Sequence, residues 1–171
     1  AMTSLILSSL ALGTIITMSS FHWLFAWIGL ELNTLAIIPI IAKQHNPRAT
    51  EATTKYFLTQ AAASAMVLFA STTNAWSTGT WDISLMMNQP ACIMLTMALS
   101  MKLGLAPLHF WLPEVLQGTS LKTALIITTW QKLAPMTLLY MTYNSMQPTI
   151  LMMMGLLSAL TGGWGGLNQT Q

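Results

Sequence analysis

Six long apolar runs make up most of this sequence, at residues 2–18, 21–42, 56–76, 90–116, 120–143 and 149–167. Each approaches or exceeds the ~20 residues that a helix needs to cross the hydrocarbon core of a bilayer. None alternates apolar with polar as a barrel strand does. Only 6% of residues are charged, against about 25% in soluble domains, so a water-soluble fold is excluded. The expectation is an all-α membrane protein: one transmembrane domain over 1–171 with six spanning helices.

Charge in the connections orients these spans. Lys43, Arg48 and Lys55 cluster between the second and third runs, and Lys122 lies beside the turn between the fourth and fifth. The loops at 77–89 and 144–148 carry Asp82 but no Lys or Arg. The basic loops therefore face the cytoplasm or a mitochondrial matrix, with Trp76, Trp81, Tyr140 and Tyr143 at the opposite interface. A net charge of +2 is too small and too scattered to suggest nucleic acid as a partner. One cysteine, Cys92, allows no disulfide framework and reads as a small packed hydrophobe. The start at Ala1 and the abrupt stop at Gln171 suggest an internal piece of a longer protein, and fourteen Met beside seven Trp fit an organellar membrane product.

Three charges fall where they cost most. Glu31, Lys102 and Lys132 each sit near the middle of a run, where insertion of an ionisable group costs at least ~2.5 kcal/mol. At about 4 Å and an effective dielectric near 20, Glu31 and Lys102 would attract by ~4 kcal/mol, enough to load and release a proton as the pair separates and closes. Lys102 and Lys132 lie at similar depth on consecutive helices, so a proton could pass between them through water. A packing ion pair is the plainer reading of Glu31 with Lys102. Lys132 has no evident acid partner.

The fourth run carries the strongest local signal. Pro107 deprives the Leu103 carbonyl of its helical partner, Gly104 weakens the same turn, and Pro113 repeats the disruption at His109. The run 90–116 is therefore expected to be a discontinuous helix, tolerated at membrane depth only where protein or water re-satisfies the backbone. In the fifth run Pro135 similarly frees the Gln131 carbonyl beside Lys132, with Thr128 and Thr129 on the lysine's face. His109 reads equally as a packing histidine or a proton relay, and Glu114 as a solvated helix end or an entry point for protons. Gln60, Ser64 and Ser71 share one face of the third span, for interhelical hydrogen bonds or a wet path. Gly155, Ala159 and Gly163, with Gly162 and Gly166, predict close helix packing along the sixth. His22 and His45 read as interfacial and inert.

The stretch Lys102-Leu-Gly-Leu-Ala-Pro107-Leu-His109-Phe-Trp111-Leu-Pro113-Glu114 resembles the broken-helix signature of the proton-translocating, antiporter-like subunits of respiratory complex I. Glu31 in Trp27-Ile-Gly-Leu-Glu-Leu-Asn33 and Lys132 in Trp130-Gln-Lys-Leu-Ala-Pro135 sharpen the match. The resemblance implies two inverted five-helix repeats, of which about 1–143 is the first and 144–171 begins the connection to the second. It implies that Glu31 is the paired glutamate, Lys102 the broken-helix lysine and Lys132 the central connecting lysine of a proton relay.

The function so implied is that of a subunit of an H+-translocating NADH:ubiquinone reductase in the mitochondrial inner membrane. NADH, flavin, iron–sulfur clusters and ubiquinone would be bound by other subunits, with no cofactor or metal on this chain. Its partners would be the other membrane subunits and the lipid bilayer. The alternative is a multi-subunit cation/proton antiporter, which shares the broken-helix lysine; a non-transporting structural subunit is the third reading.

Overall fold

In a computed structural model, residues 1–170 are described and form eight α-helices with no β-strand among them. They are α1 (Met2–Ser19), α2 (Trp23–Ile41), α3 (Pro47–Thr78), α4 (Gln89–Leu103), α5 (Trp111–Gln117), α6 (Leu121–Thr129), α7 (Leu133–Thr142) and α8 (Pro148–Leu167). Prolines stand at the start of α3, α4 and α8, where a missing N–H leaves no helical partner wanting. Three helical stretches are each long and apolar enough to cross a membrane unaided: Met2–Ser19, Trp23–Gln44 and Pro148–Leu167. α3 has the length, with 32 residues, but is studded with Thr, Ser, Gln and Asn.

Both remaining runs are split. The break in 90–116 divides α4 from α5, and the run 120–143 is also interrupted, by a 3-10 turn at Trp130–Lys132 between α6 and α7. One discontinuity was expected and two are found. Pro135 accounts for the second, because its ring excludes the Gln131 carbonyl from the helical ladder. Thr128 and Thr129 assist: their hydroxyls donate back to Ala124 and Leu125 carbonyls, a pattern that bends helices. Those hydroxyl protons are thus spent on the backbone rather than on Lys132.

Two apolar cores hold the bundle. One gathers Trp23, Leu30, Val67, Leu95, Leu99 and Leu138 around the ends near residue 83. The other, toward the basic loops, gathers Leu10, Ile37, Tyr56, Trp111, Val115 and Ile127. Helices α1 and α2 touch backbone to backbone at Gly13 and Gly29, where a Cβ on Gly29 would stand 2.7 Å from the Gly13 carbonyl oxygen. The glycines of α8 do no such work here. Nothing lies within 4 Å of a Cβ placed on Gly155, Gly162, Gly163 or Gly166, and Met154 is the one buried residue of that helix. The expected close packing along α8 is not found among the described residues; the helix instead meets the bundle along its Met154–Ser158 edge.

The loop before α4 is stapled by Asn74, which is fully buried. Its Nδ2 donates to the Leu85 carbonyl at 3.1 Å, and its Oδ1 accepts from the amides of Met87 at 3.2 Å and Asn88 at 3.4 Å. Asn74→Ala would orphan three backbone groups at once, each costing ~1 kcal/mol or more. We expect a loss of about 3 kcal/mol in detergent unfolding; Asn74→Asp, which keeps the acceptor, should lose less. At the same end, Trp23 and Ile83 amides donate to the Trp81 and Phe21 carbonyls. His22 is not inert: its Nδ1 caps α2 by accepting from the Leu24 amide at 3.1 Å, and its ring stacks on Trp81.

Candidate functional site

Gly104, rather than Pro107, ends α4. Its φ of +74° is the left-handed conformation that glycine adopts freely. The Gly104 amide donates to the Met101 carbonyl at 3.2 Å and the Leu105 amide to Ser100 at 3.0 Å, the paired closure of a Schellman end. With 15 residues, α4 is about 22 Å long, so it stops inside the ~30 Å hydrocarbon core. The chain then runs without helix to Trp111. Pro113 falls in the first turn of α5, where helices tolerate proline, and the His109 carbonyl accepts from the Leu112 amide at 3.1 Å. It therefore starts a helix where a second break was expected.

The break is closed by side chains. Trp111 Nε1 donates to the Met101 carbonyl at 2.9 Å. Ser158 of α8 accepts from the Ala106 amide at 2.9 Å. The Leu103 carbonyl, which Pro107 was expected to strand, accepts from Lys132 Nζ at 2.9 Å. Both mid-span lysines thus meet at the end of α4.

Lys102 is 6% exposed, and its Nζ donates to Gln60 Oε1 at 3.4 Å. Leu30, Asn33, Thr34, Gln60, Lys102, Gln131 and Pro135 enclose a cavity of about 10 Å³, close to the threshold for one water molecule. The polar face foreseen on α3 is buried, with Gln60, Ser64 and Ser71 all inward. Gln60 makes the interhelical contact and the Ser64 hydroxyl has no protein partner.

Glu31 does not pair with Lys102. Among the described residues the ion pairs within 4 Å are Lys55–Glu51 and Lys55–Glu114, and Glu31 reaches Lys102 only as a field across a gap. Helix periodicity gives the reason. α2 turns Leu30, Asn33, Thr34 and Ile37 inward, and at 100° per residue Glu31 falls to the flank of that face, half-buried.

His109 lies in the non-helical segment, stacked on Phe110, with its Nδ1 buried and unpartnered. It lines a cavity of about 390 Å³ with Gly104, Ala106, Pro113, Ser158 and Thr161, on the α8 side of the break. Sequence reasoning placed it on the lysine's face of a continuous helix, and the break moves it away.

Glu114 is neither a free terminus nor alone. Its carboxylate meets Lys55 Nζ at 2.8 Å, and Lys55 also meets Glu51 at 2.8 Å. These two carboxylates raise the lysine above its ordinary value, and Lys55 lowers Glu51 below the usual carboxylate range. The lysine's contribution is complete below its ordinary value and lost as pH rises through the raised one. That of Glu51 is complete above the ordinary carboxylate range, so the cluster is intact across neutral pH. Its exposure keeps each pair's worth small. Cys92 is buried, as a packed hydrophobe should be.

A family described as NADH:quinone oxidoreductase/Mrp antiporter, TM, has a model that matches residues 20–171. NADH-ubiquinone oxidoreductase chain 2 of Oncorhynchus mykiss is 62% identical over 168 residues, which are 98% of this chain and 48% of that protein. Its counterpart in Anas acuta is 62% identical over 169 residues, 99% of this chain and 49% of that one. The chain spans about half the length of the curated relatives it matches. Among solved structures, respiratory complex I from Thermus thermophilus with bound aureothin contains a chain that superposes with a TM-score of 0.88 at 30% identity, covering 96% of this chain and 39% of that one. A chain of an archaeal membrane-bound sulfane sulfur reductase matches at a TM-score of 0.68 and 18% identity, over 80% of this chain and 31% of its own, which speaks for the fold alone.

Proposed function

The chain belongs to the NADH:quinone oxidoreductase/Mrp antiporter transmembrane family, and from that premise we propose that it moves protons as part of a membrane subunit of respiratory complex I. In this reading NADH oxidation and ubiquinone reduction take place on other subunits. The six apolar runs form six spans, two of them interrupted, as the first of two inverted repeats. The surrounding membrane is the mitochondrial inner membrane.

One observation carries the reading: two lysines from different helices converge on the unwound end of α4, with a polar cavity beside them. Lys102 holds a proton against Gln60, Lys132 holds one against the Leu103 carbonyl, and Glu31 biases Lys102 through space. The gap between Glu31 and Lys102 suits this role better than a closed ion pair would. A contact pair fixes the proton, whereas a charge at a distance is free to raise or lower its hold as α2 shifts.

The experiment is Glu31→Gln in the assembled complex, which changes charge at nearly constant shape. Protons released per electron should fall at least severalfold while quinone reduction continues. An unchanged ratio would remove Glu31 from the relay. Sodium–proton exchange in the same vesicles, independent of NADH and lost with Glu31→Gln, would favour the antiporter reading instead.

A further inference from the structure

Lys132 lacks a carboxylate, yet it has a counter-charge. Its Nζ donates to the Leu103 carbonyl at 2.9 Å, and Leu103 is the last residue of α4. The Ser100 and Met101 carbonyls of that turn are already taken by the Leu105 and Gly104 amides. What remains at a helix C-terminus is about half a negative charge on its unsatisfied carbonyls. A lysine ammonium reaching in from a second helix is its match.

We infer that Lys132 is a positioning residue for Lys102. Its ammonium closes α4, and so fixes the turn from which the Lys102 side chain reaches Gln60. The helices packed against α7 that carry charge nearby are α2, with Glu31, and α4, with Lys102; α1 carries none. Cys92 lies toward the opposite end of α4. No carboxylate on these helices is within ion-pair distance of Lys132, so the helix end is what its charge acts on at contact range.

Combined with the relay reading, on which this second step rests, the cap becomes a sensor of proton occupancy. When Lys132 passes its proton to the next acceptor, the nitrogen keeps its electron pair and two N–H bonds but loses its charge. A charge-assisted hydrogen bond is about twice as strong as a neutral one, so the end of α4 loosens when Lys132 is empty. The Ala106 amide, held by Ser158 Oγ, carries that loosening to α8.

Hydrogen exchange over residues 98–108 in the intact complex tests this, with proton pumping measured on the same preparations. Lys132→Met, which removes donor and charge, should speed exchange of the Gly104 and Leu105 amides about tenfold. Lys132→Arg should restore wild-type protection, and Lys132→Gln should fall between. Wild-type protection in Lys132→Met overturns the cap. Should that variant fail to assemble, Lys132→Gln decides, because protection equal to that of Lys132→Arg removes the role of charge. Pumping separates the two ideas. Loss of pumping with unchanged exchange leaves the relay and defeats the cap; retained pumping in Lys132→Gln with faster exchange defeats the relay and leaves the cap.

Discussion

Lys102→Met is expected to reduce proton translocation at least tenfold while leaving the bundle as stable as before, or more so. The side chain is buried, and its one hydrogen bond, to Gln60, is 3.4 Å long. Methionine has nearly the same reach and removes a charge that is costly at this depth. Exchanging a buried ionic group for an apolar one of similar volume is often neutral or stabilising. Helix α4 would still end at Gly104, because its closing bonds are made by backbone amides and by Trp111. Pumping and stability should therefore part company. Protons translocated per NADH oxidised, set beside the thermal midpoint of the complex, measure both. A normal pumping ratio would remove Lys102 from the path; a lower midpoint would show that its charge holds the fold.

Gly29→Ala should be the most disruptive single methyl in the chain. Its Cβ would collide with the Thr17 hydroxyl and stand 2.7 Å from the Gly13 carbonyl oxygen and 2.9 Å from the Thr17 amide nitrogen. Two of these three neighbours are backbone, which cannot rotate aside. The helices must separate, at a cost of about 3 kcal/mol, the upper part of the range for overpacking. Separation also pulls Asn33 from Thr14, whose hydroxyl accepts from Trp130 Nε1 at 3.1 Å, and shifts Glu31 two residues along. The abundance of assembled complex reads the effect, with Gly155→Ala as the contrast, since no atom lies within 4 Å of that Cβ. Equal tolerance of both substitutions would mean that α1 and α2 do not pack as closely as described.

What could be read from the letters follows from how each contact is made. The three mid-span charges and the interrupted fourth run were legible, because charge in lipid and a Lys-Leu-Gly-Leu-Ala-Pro string both carry strong energetic signatures. The partner of Lys132 was not, since a backbone carbonyl has no letter of its own. Pro113 misled because proline breaks a helix in its middle and begins one at its start, and the sequence does not say where α5 restarts. The glycine stripe of α8 was conspicuous and lies open. The true close approach used Gly13 and Gly29, single glycines on two different helices with no repeat to mark them. For Glu31, charge and depth were plain, but a 100° turn decided whether it met the lysine.

α3 spans the gap in the broken helix from outside. Gln60 holds Lys102 at the end of α4, and Lys55, five residues earlier, holds Glu114 on α5. Those anchor points stand about 7.5 Å apart along the axis of one continuous rod. The two half-helices are thus pinned to a common rail, and they cannot draw apart without bending it or letting go of a pin. Motion at the break must then be a swivel about α3, which reorients the unwound segment while its span stays constant.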